Sequence, residues 1–188
     1  ILPLLGRVRH ATVKNLNIYG EEIAGYGLVQ DYTVDYGVSG NYGEYAKSDS
    51  TTIDIYNVTL KAGSKTLESG FIGGYASGIN HVNISNCTIE AGVVIGYDKS
   101  KSNIGSFGGA FNGTIIDSVS YATVYGVNNV GGLIGIKGQS MGPCRVYDSE
   151  FHGTVEATGT YAGGIIGSGY YGKGTAPNTP CVTIQDCL

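Results

Sequence analysis

Tryptophan is absent from this 188-residue chain, methionine occurs once, proline and cysteine four times each, and only 14% of the residues are charged. Ordinary soluble domains carry roughly 25% charged residues, so the surface must be built largely from uncharged groups. The formal net charge of -4 at pH 7 leaves no basic footprint, which argues against nucleic acid or an anionic membrane as a partner. No apolar run approaches the ~18 residues of a membrane-spanning segment, so membrane insertion is not expected either. Residues Ile1 to Arg9 lack the apolar core and cleavage site of a signal peptide, and a soluble chain without its export signal is expected. Four cysteines without a paired Cys-x-x-Cys spacing exclude both a disulfide-dense mini-protein and a sulfur-ligated zinc site.

Glycine and tyrosine are abundant, at 32 and 15 residues. Against ordinary glycine usage of roughly 7%, that composition fits many short strands joined by tight turns. Sequons at Asn57, Asn83, Asn86 and Asn112 would point to a secreted glycoprotein if exposed. Two of them, Asn57 and Asn86, fall in a repeat column that reads as a structural turn.

The repeat has two halves. The first is apolar-x-Asn/Asp-x-x-apolar, as in Val13-Lys-Asn15-Leu-Asn-Ile18, Ile55-Tyr-Asn57-Val-Thr-Leu60 and Ile84-Ser-Asn86-Cys-Thr-Ile89, and less regularly in Val146-Tyr-Asp148-Ser-Glu-Phe151. Asp117 and Asp186 continue the column, giving intervals of 42, 29, 31, 31 and 38 residues. The second half is glycine-rich, as in Ser69-Gly-Phe71-Ile-Gly73 and Gly131-Gly-Leu133-Ile-Gly135. Each half reads as a short strand with turn punctuation, and units this small bury an apolar face only by stacking on their neighbours. The expected fold is all-β, a right-handed parallel β-helix (solenoid) incomplete at both ends. It forms one segment, 1–188, of a larger protein, with repeats near 11–48, 51–78, 79–113, 114–142 and 143–180 and a partial one at 181–188. Flanking repeats or domains of the same parent are the expected neighbours.

The Val-x-Asn-Leu-x-Ile cadence followed by Gly-Gly-Leu-Ile-Gly resembles the GLUG-type repeats of bacterial surface and secreted proteins. Within that group, Val130 to Met141, Phe151 to Ala157 and Thr175 to Cys181 look most like the β-helical lacto-N-biosidase type of glycoside hydrolase. The resemblance implies an extracellular or cell-surface location. It also implies a carbohydrate-active enzyme that uses two acidic residues to release a disaccharide from milk-type oligosaccharides. No motif in this chain carries that acidic pair over residue by residue. Similar repeats occur in adhesins and large surface proteases, so a non-catalytic stalk or glycan-binding module is the alternative.

Sugar hydrolysis pairs two carboxyl groups, about 5 to 5.5 Å apart for retention or about 6.5 to 9.5 Å for inversion. Neighbouring rungs lie about 4.8 Å apart, so stacked acids meet the shorter spacing. The column Asp117, Asp148, Asp186 is read first as turn residues, with catalysis or a bound structural calcium ion as the alternatives. The insertion after Leu28 holds Asp31, Tyr32, Asp35, Tyr36 and Glu44, and supplies the candidate catalytic pair, Asp31 and Asp35. Tyr32, Tyr36 and Glu44 are candidate substrate contacts, since tyrosine offers sugar C–H groups a flat face and a hydroxyl.

Aligning the glycine-rich halves places Tyr32, Tyr75, Phe111 and Lys137 in one column, either an outward strip or an inward stack. A second column, four residues after each Asn/Asp, runs Tyr19, Lys61, Glu90, Tyr121 and His152. It should face solvent, and Glu90, Tyr121 and His152 are its candidate glycan contacts. Cys144 and Cys181 enter successive repeats and are read as a disulfide or a reduced pair. Cys87 and Cys187 share a column three repeats apart and are read as core residues. Phosphate-loop, zincin and serine-hydrolase motifs are absent, and no cofactor is expected.

Overall fold

The computed structural model describes residues 2–8, 11–32, 52–72, 81–138, 144–169 and 182–188. Among these residues the chain is all-β, with no helix, and every strand pairing is parallel. The strands form curled sheets consistent with a β-solenoid.

The largest sheet stacks Ala11–Ile18, Thr52–Leu60, His81–Ser85, Gly113–Ile116, Cys144–Tyr147 and Val182–Gln185 in chain order. Its register runs Ala11 to Ile53, Val82, Gly113, Cys144 and Val182, which reproduces the intervals read from the Asn/Asp column. A second sheet stacks Lys65–Thr66, Val94–Ile95, Thr123–Gly126 and Thr154–Ala157. A third holds Ile104–Gly105, Val130–Gly131 and Ala162–Gly163. The glycine-rich halves close each rung through Val29–Tyr32, Gly108–Phe111, Ile134–Lys137 and Ile166–Ser168, with Ile72 bridging Val29 to Gly108.

Local chemistry explains the bends. Asn15, Asn57, Asn86, Asp117, Asp148 and Asp186 all have positive φ, between 45° and 57°. Asparagine and aspartate tolerate this left-handed conformation better than other side chains with a Cβ, so the repeat column is a column of backbone kinks. The turn reading of the acids therefore holds. The Asn57 side-chain amide donates to Asn15 Oδ1 at 2.8 Å, tying two rungs at their outer edge.

At Asn57, Asn86, Asp117 and Asp148 the residue after the kink is buried, and in three of these rungs it is cysteine or serine. The Cys87 thiol donates to the Ser85 carbonyl, the Ser118 hydroxyl to that of Ile116 and the Ser149 hydroxyl to that of Tyr147. The same oxygens accept from the rung before, Cys87 N–H to Ser118 Oγ at 3.1 Å and Ser118 N–H to Ser149 Oγ at 3.2 Å. Buried serines here satisfy amides that the kink removes from the strand ladder.

Cys87 is almost fully buried, and Cys187 in the same column is partly so. Burial pushes the Cys87 thiol up from 9.0 to about 11. The folded protein should therefore leave Cys87 unalkylated by iodoacetamide at pH 8, with labelling only after denaturation. The unfolded chain releases this proton more readily, so its contribution is constant below pH 9 and stability declines between pH 9 and 11. Rapid labelling of Cys87 in the native protein would show that the rung is open.

The interior is a file of apolar side chains led by Leu28, Phe71, Phe107 and Leu133, all without solvent exposure. Phe71 and Phe107 meet edge to face, with ring centroids 5.1 Å apart. Among the described residues the hydroxyl of Ser106 is buried without a hydrogen-bond partner. An orphaned hydroxyl costs about 1 to 3 kcal/mol, so Ser106→Ala should raise Tm by about 2 to 4 °C per kcal/mol recovered. Differential scanning fluorimetry reads this directly, and an unchanged or lower Tm would mean that the hydroxyl has a partner.

Candidate functional site

The corner between the first and second sheets is where the Asn/Asp kink places a side chain outward one strand later. Tyr19, Lys61, Glu90, Tyr121 and His152 occupy it in five successive rungs, at least partly exposed in each. The expected solvent-facing column is therefore present as a continuous ladder. Tyr19 is 64% and Tyr121 43% exposed, unlike Phe71, Phe107 and Phe111, which are fully interior.

The ladder is internally ordered. The Lys61 ammonium donates to Glu90 Oε1, and the Ala62 N–H donates to Glu90 Oε2 at 2.9 Å. The Lys61 hydrogen bond is the main reason that the Glu90 carboxyl titrates below the usual glutamate range, with the Ala62 amide second. Glu90 is thus an ionised acceptor at neutral pH and is unsuited to donating a proton as a general acid. Tyr121 and His152 stack, with centroids 5.3 Å apart and planes 16° from parallel. His152 Nε2 lies 2.6 Å from Glu150 Oε2, which orients the imidazole. The corner therefore offers two stacked rings followed by an ion pair, with a further ring, Tyr19, one rung beyond Lys61.

The other candidate residues fall elsewhere. Phe111 is fully buried and Lys137 nearly so, which decides the second alternative for their column in favour of an inward stack at these rungs. Lys137 is accordingly not a surface contact: its ammonium lies 3.0 Å from the Gly138 carbonyl and 3.4 Å from Asn112 Oδ1. Aliphatic length lets it fill the slot that Phe111 fills one rung earlier, and chain carbonyls receive its protons. Asp31 and Tyr32 lie on strand Val29–Tyr32, where only their backbone is described, and the register pairs Arg7 with Asp31 and Val8 with Tyr32. Asp35, Tyr36, Glu44 and Tyr75 lie outside the described residues, as does Cys181. The register sets Cys144 against Val182.

Among the described residues no group of three or more His, Cys, Asp or Glu side chains is placed to hold a metal ion. Asp117, Asp148 and Asp186 stand in one exposed file at the kink. Of the sequon asparagines, Asn112 is buried and Asn83 donates to Asp54 Oδ1 at 2.8 Å, while Asn57 is held in the edge ladder. Among the described residues no helix is long and apolar enough to cross a membrane.

No protein-family model, curated protein or solved structure matches this chain. The function must therefore be argued from the surface itself. Sequence reasoning located the Tyr121 and His152 positions but not their stacking, because ring contact between residues 31 apart needs the in-register rungs that only pairing supplies. It missed Glu150 altogether. The signal was local, an acid two residues before a histidine on one strand face.

Proposed function

We propose that this chain is part of the right-handed parallel β-helix of an extracellular or cell-surface bacterial protein, and that the Tyr19 to His152 corner is its glycan-binding surface. The observation that carries the reading is the exposed Tyr121–His152 stack, held by Glu150 and continued by the Lys61–Glu90 pair. Flat aromatic faces pack on sugar C–H groups, and oriented polar groups alongside them select hydroxyl positions. A surface of this kind needs no net charge, in keeping with the low charge of the chain.

The parent protein, in this reading, is carbohydrate-active. A lacto-N-biosidase-like hydrolase is the form that the repeat resemblance implies; Asp31 and Asp35 are proposed as its acid pair from their place in the insertion after Leu28, not from the resemblance. One observation favours keeping that second reading. Asp31 stands two residues beyond Val29, whose bridge through Ile72 to Gly108 puts the start of its strand in the file of Ile134 and Ile166, and that strand leads in sequence into the long insertion.

Mass-spectrometric detection of products after incubation with milk and mucin oligosaccharides tests the catalytic form. Disaccharide release abolished by Asp31→Asn or Asp35→Asn would place chemistry in this chain. Release that survives both variants would make the segment a binding scaffold. Isothermal titration with the same oligosaccharides tests the binding form, where Tyr121→Ala and His152→Ala should each weaken affinity about tenfold. Retained affinity in both variants would overturn the corner as the binding surface.

A further inference from the structure

The second corner of the rung, between the second and third sheets, breaks its own pattern. Three successive rungs turn there through a left-handed residue: Asn103 with φ 61°, Asn129 with φ 53° and Tyr161 with φ 63°. The first two obey the rule of the other corner, and the Asn129 amide donates to Asn103 Oδ1 at 2.7 Å. Tyrosine does not. A bulky side chain at positive φ is strained, and an asparagine there would continue the amide ladder without that strain.

The structure holds Tyr161 in this state from outside. Asn128 Oδ1 accepts both the N–H of Thr160, at 2.8 Å, and its hydroxyl, at 3.0 Å. The Tyr161 ring is 67% exposed, and among the described residues it has no stacked or hydrogen-bonded partner. A bulky residue held at positive φ with its ring exposed is the kind of outlier from which a binding role is inferred.

Its position gives the role a geometry. Strand Thr154–Ala157, itself about 13 Å long at about 3.3 Å per residue, lies between the His152 corner and the Tyr161 corner, which are therefore further apart than that. Along it, Thr154 and Glu156 face outward, and Glu156 pairs with Tyr125 of the rung before. Lys99 lies 3.9 Å from the centre of the Tyr125 ring and 3.7 Å from Glu156 Oε2, so the middle of the face is aromatic and polar as well.

We propose that Tyr161 is a sugar contact, and that an oligosaccharide of several units lies across this face along the strand direction, from the Tyr121–His152 stack to Tyr161. The inference rests on the glycan-binding reading of the first corner and adds the ligand's orientation and minimum length. Tyr161 is the far subsite. A disaccharide reaches one corner only, whereas a hexasaccharide engages both.

Titration calorimetry of the 188-residue chain with lacto-N-tetraose, cellohexaose, xylohexaose and their disaccharide counterparts tests this. Tyr161→Asn is expected to weaken binding of the long ligand about tenfold and to leave disaccharide affinity at the Tyr121 corner unchanged. The same substitution should raise Tm by a few degrees, which separates lost contact from lost folding. Tyr161→Phe, keeping the ring, should bind as the unmodified protein does. Unchanged long-ligand affinity in Tyr161→Asn would overturn the proposal while leaving the first corner intact if Tyr121→Ala still lost binding. Loss in Tyr161→Asn with none in Tyr121→Ala would keep Tyr161 as a contact and remove the first corner. No binding of any oligosaccharide by the unmodified chain would overturn both.

Discussion

Gly131→Ala should abolish folding of the rungs on either side of it, seen as loss of the cooperative thermal transition and of the β-type circular dichroism. A Cβ at Gly131 would lie 1.9 Å from the Ile134 carbonyl oxygen and 2.6 Å from the Gly167 nitrogen. Both are backbone atoms, so no side-chain rotation relieves the contact. Gly131 pairs with Gly105 before it and Gly163 after it, and each of these meets the same obstruction from a carbonyl three residues on, Gly108 and Ile166 respectively. The third sheet is therefore a file of glycines over which the chain folds back on itself within three residues. Opening one rung to admit a methyl group would break pairings to both neighbours, because stacked repeats derive their stability from nearest-neighbour interfaces. The expected cost exceeds about 4 kcal/mol, the range of exceptional single substitutions. Gly164→Ala is the control, since a Cβ there meets nothing within 4 Å. Near-native stability of Gly131→Ala would mean that the glycine file is not needed for the turn.

Phe107→Ala carries the second large effect. The ring is fully buried, packs edge to face on Phe71, and its backbone joins Ile72 on one side and Leu133 on the other at 2.9 Å. Truncation removes the transfer free energy of the ring and leaves a cavity that paired strands on both sides prevent from collapsing. About 3 to 5 kcal/mol is expected, with the lost aromatic pair included. At about 2 to 4 °C per kcal/mol for a chain of this size, Tm falls by about 6 to 20 °C. Phe107→Leu, which matches Leu28 and Leu133 in the same file, should recover most of the loss. A fall of less than about 2 °C in the alanine variant would contradict the burial.

Much of this architecture was legible in the linear chain because a stacked repeat converts sequence spacing into spatial alignment. Once Asn15, Asn57, Asn86, Asp117, Asp148 and Asp186 are recognised as one column, every residue at a fixed offset from them lies in another column. The outward path of Tyr19, Lys61, Glu90, Tyr121 and His152 follows from that offset together with strand alternation. The kink follows too, since asparagine and aspartate share a tolerance for left-handed backbone. The site was less legible. Phe111 and Lys137 were aligned correctly, but the direction of the column was undecided because aromatics suit both an interior stack and an exposed strip. Lys137 was misleading for a physical reason: its charge points to the surface, whereas its length and the carbonyl of Gly138 allow it inside.

The sequence by itself determined the rung period, the kink residues and the membership of each column, since these depend on local backbone preference and on repetition. Only the tertiary structure decided that the Phe111–Lys137 column faces inward, how Tyr121 meets His152, and that Tyr161 sits at a left-handed corner. The physical reason is that inward or outward orientation, ring stacking and strain depend on contacts between rungs some thirty residues apart. No local propensity encodes a distance that arises only when the rungs are in register.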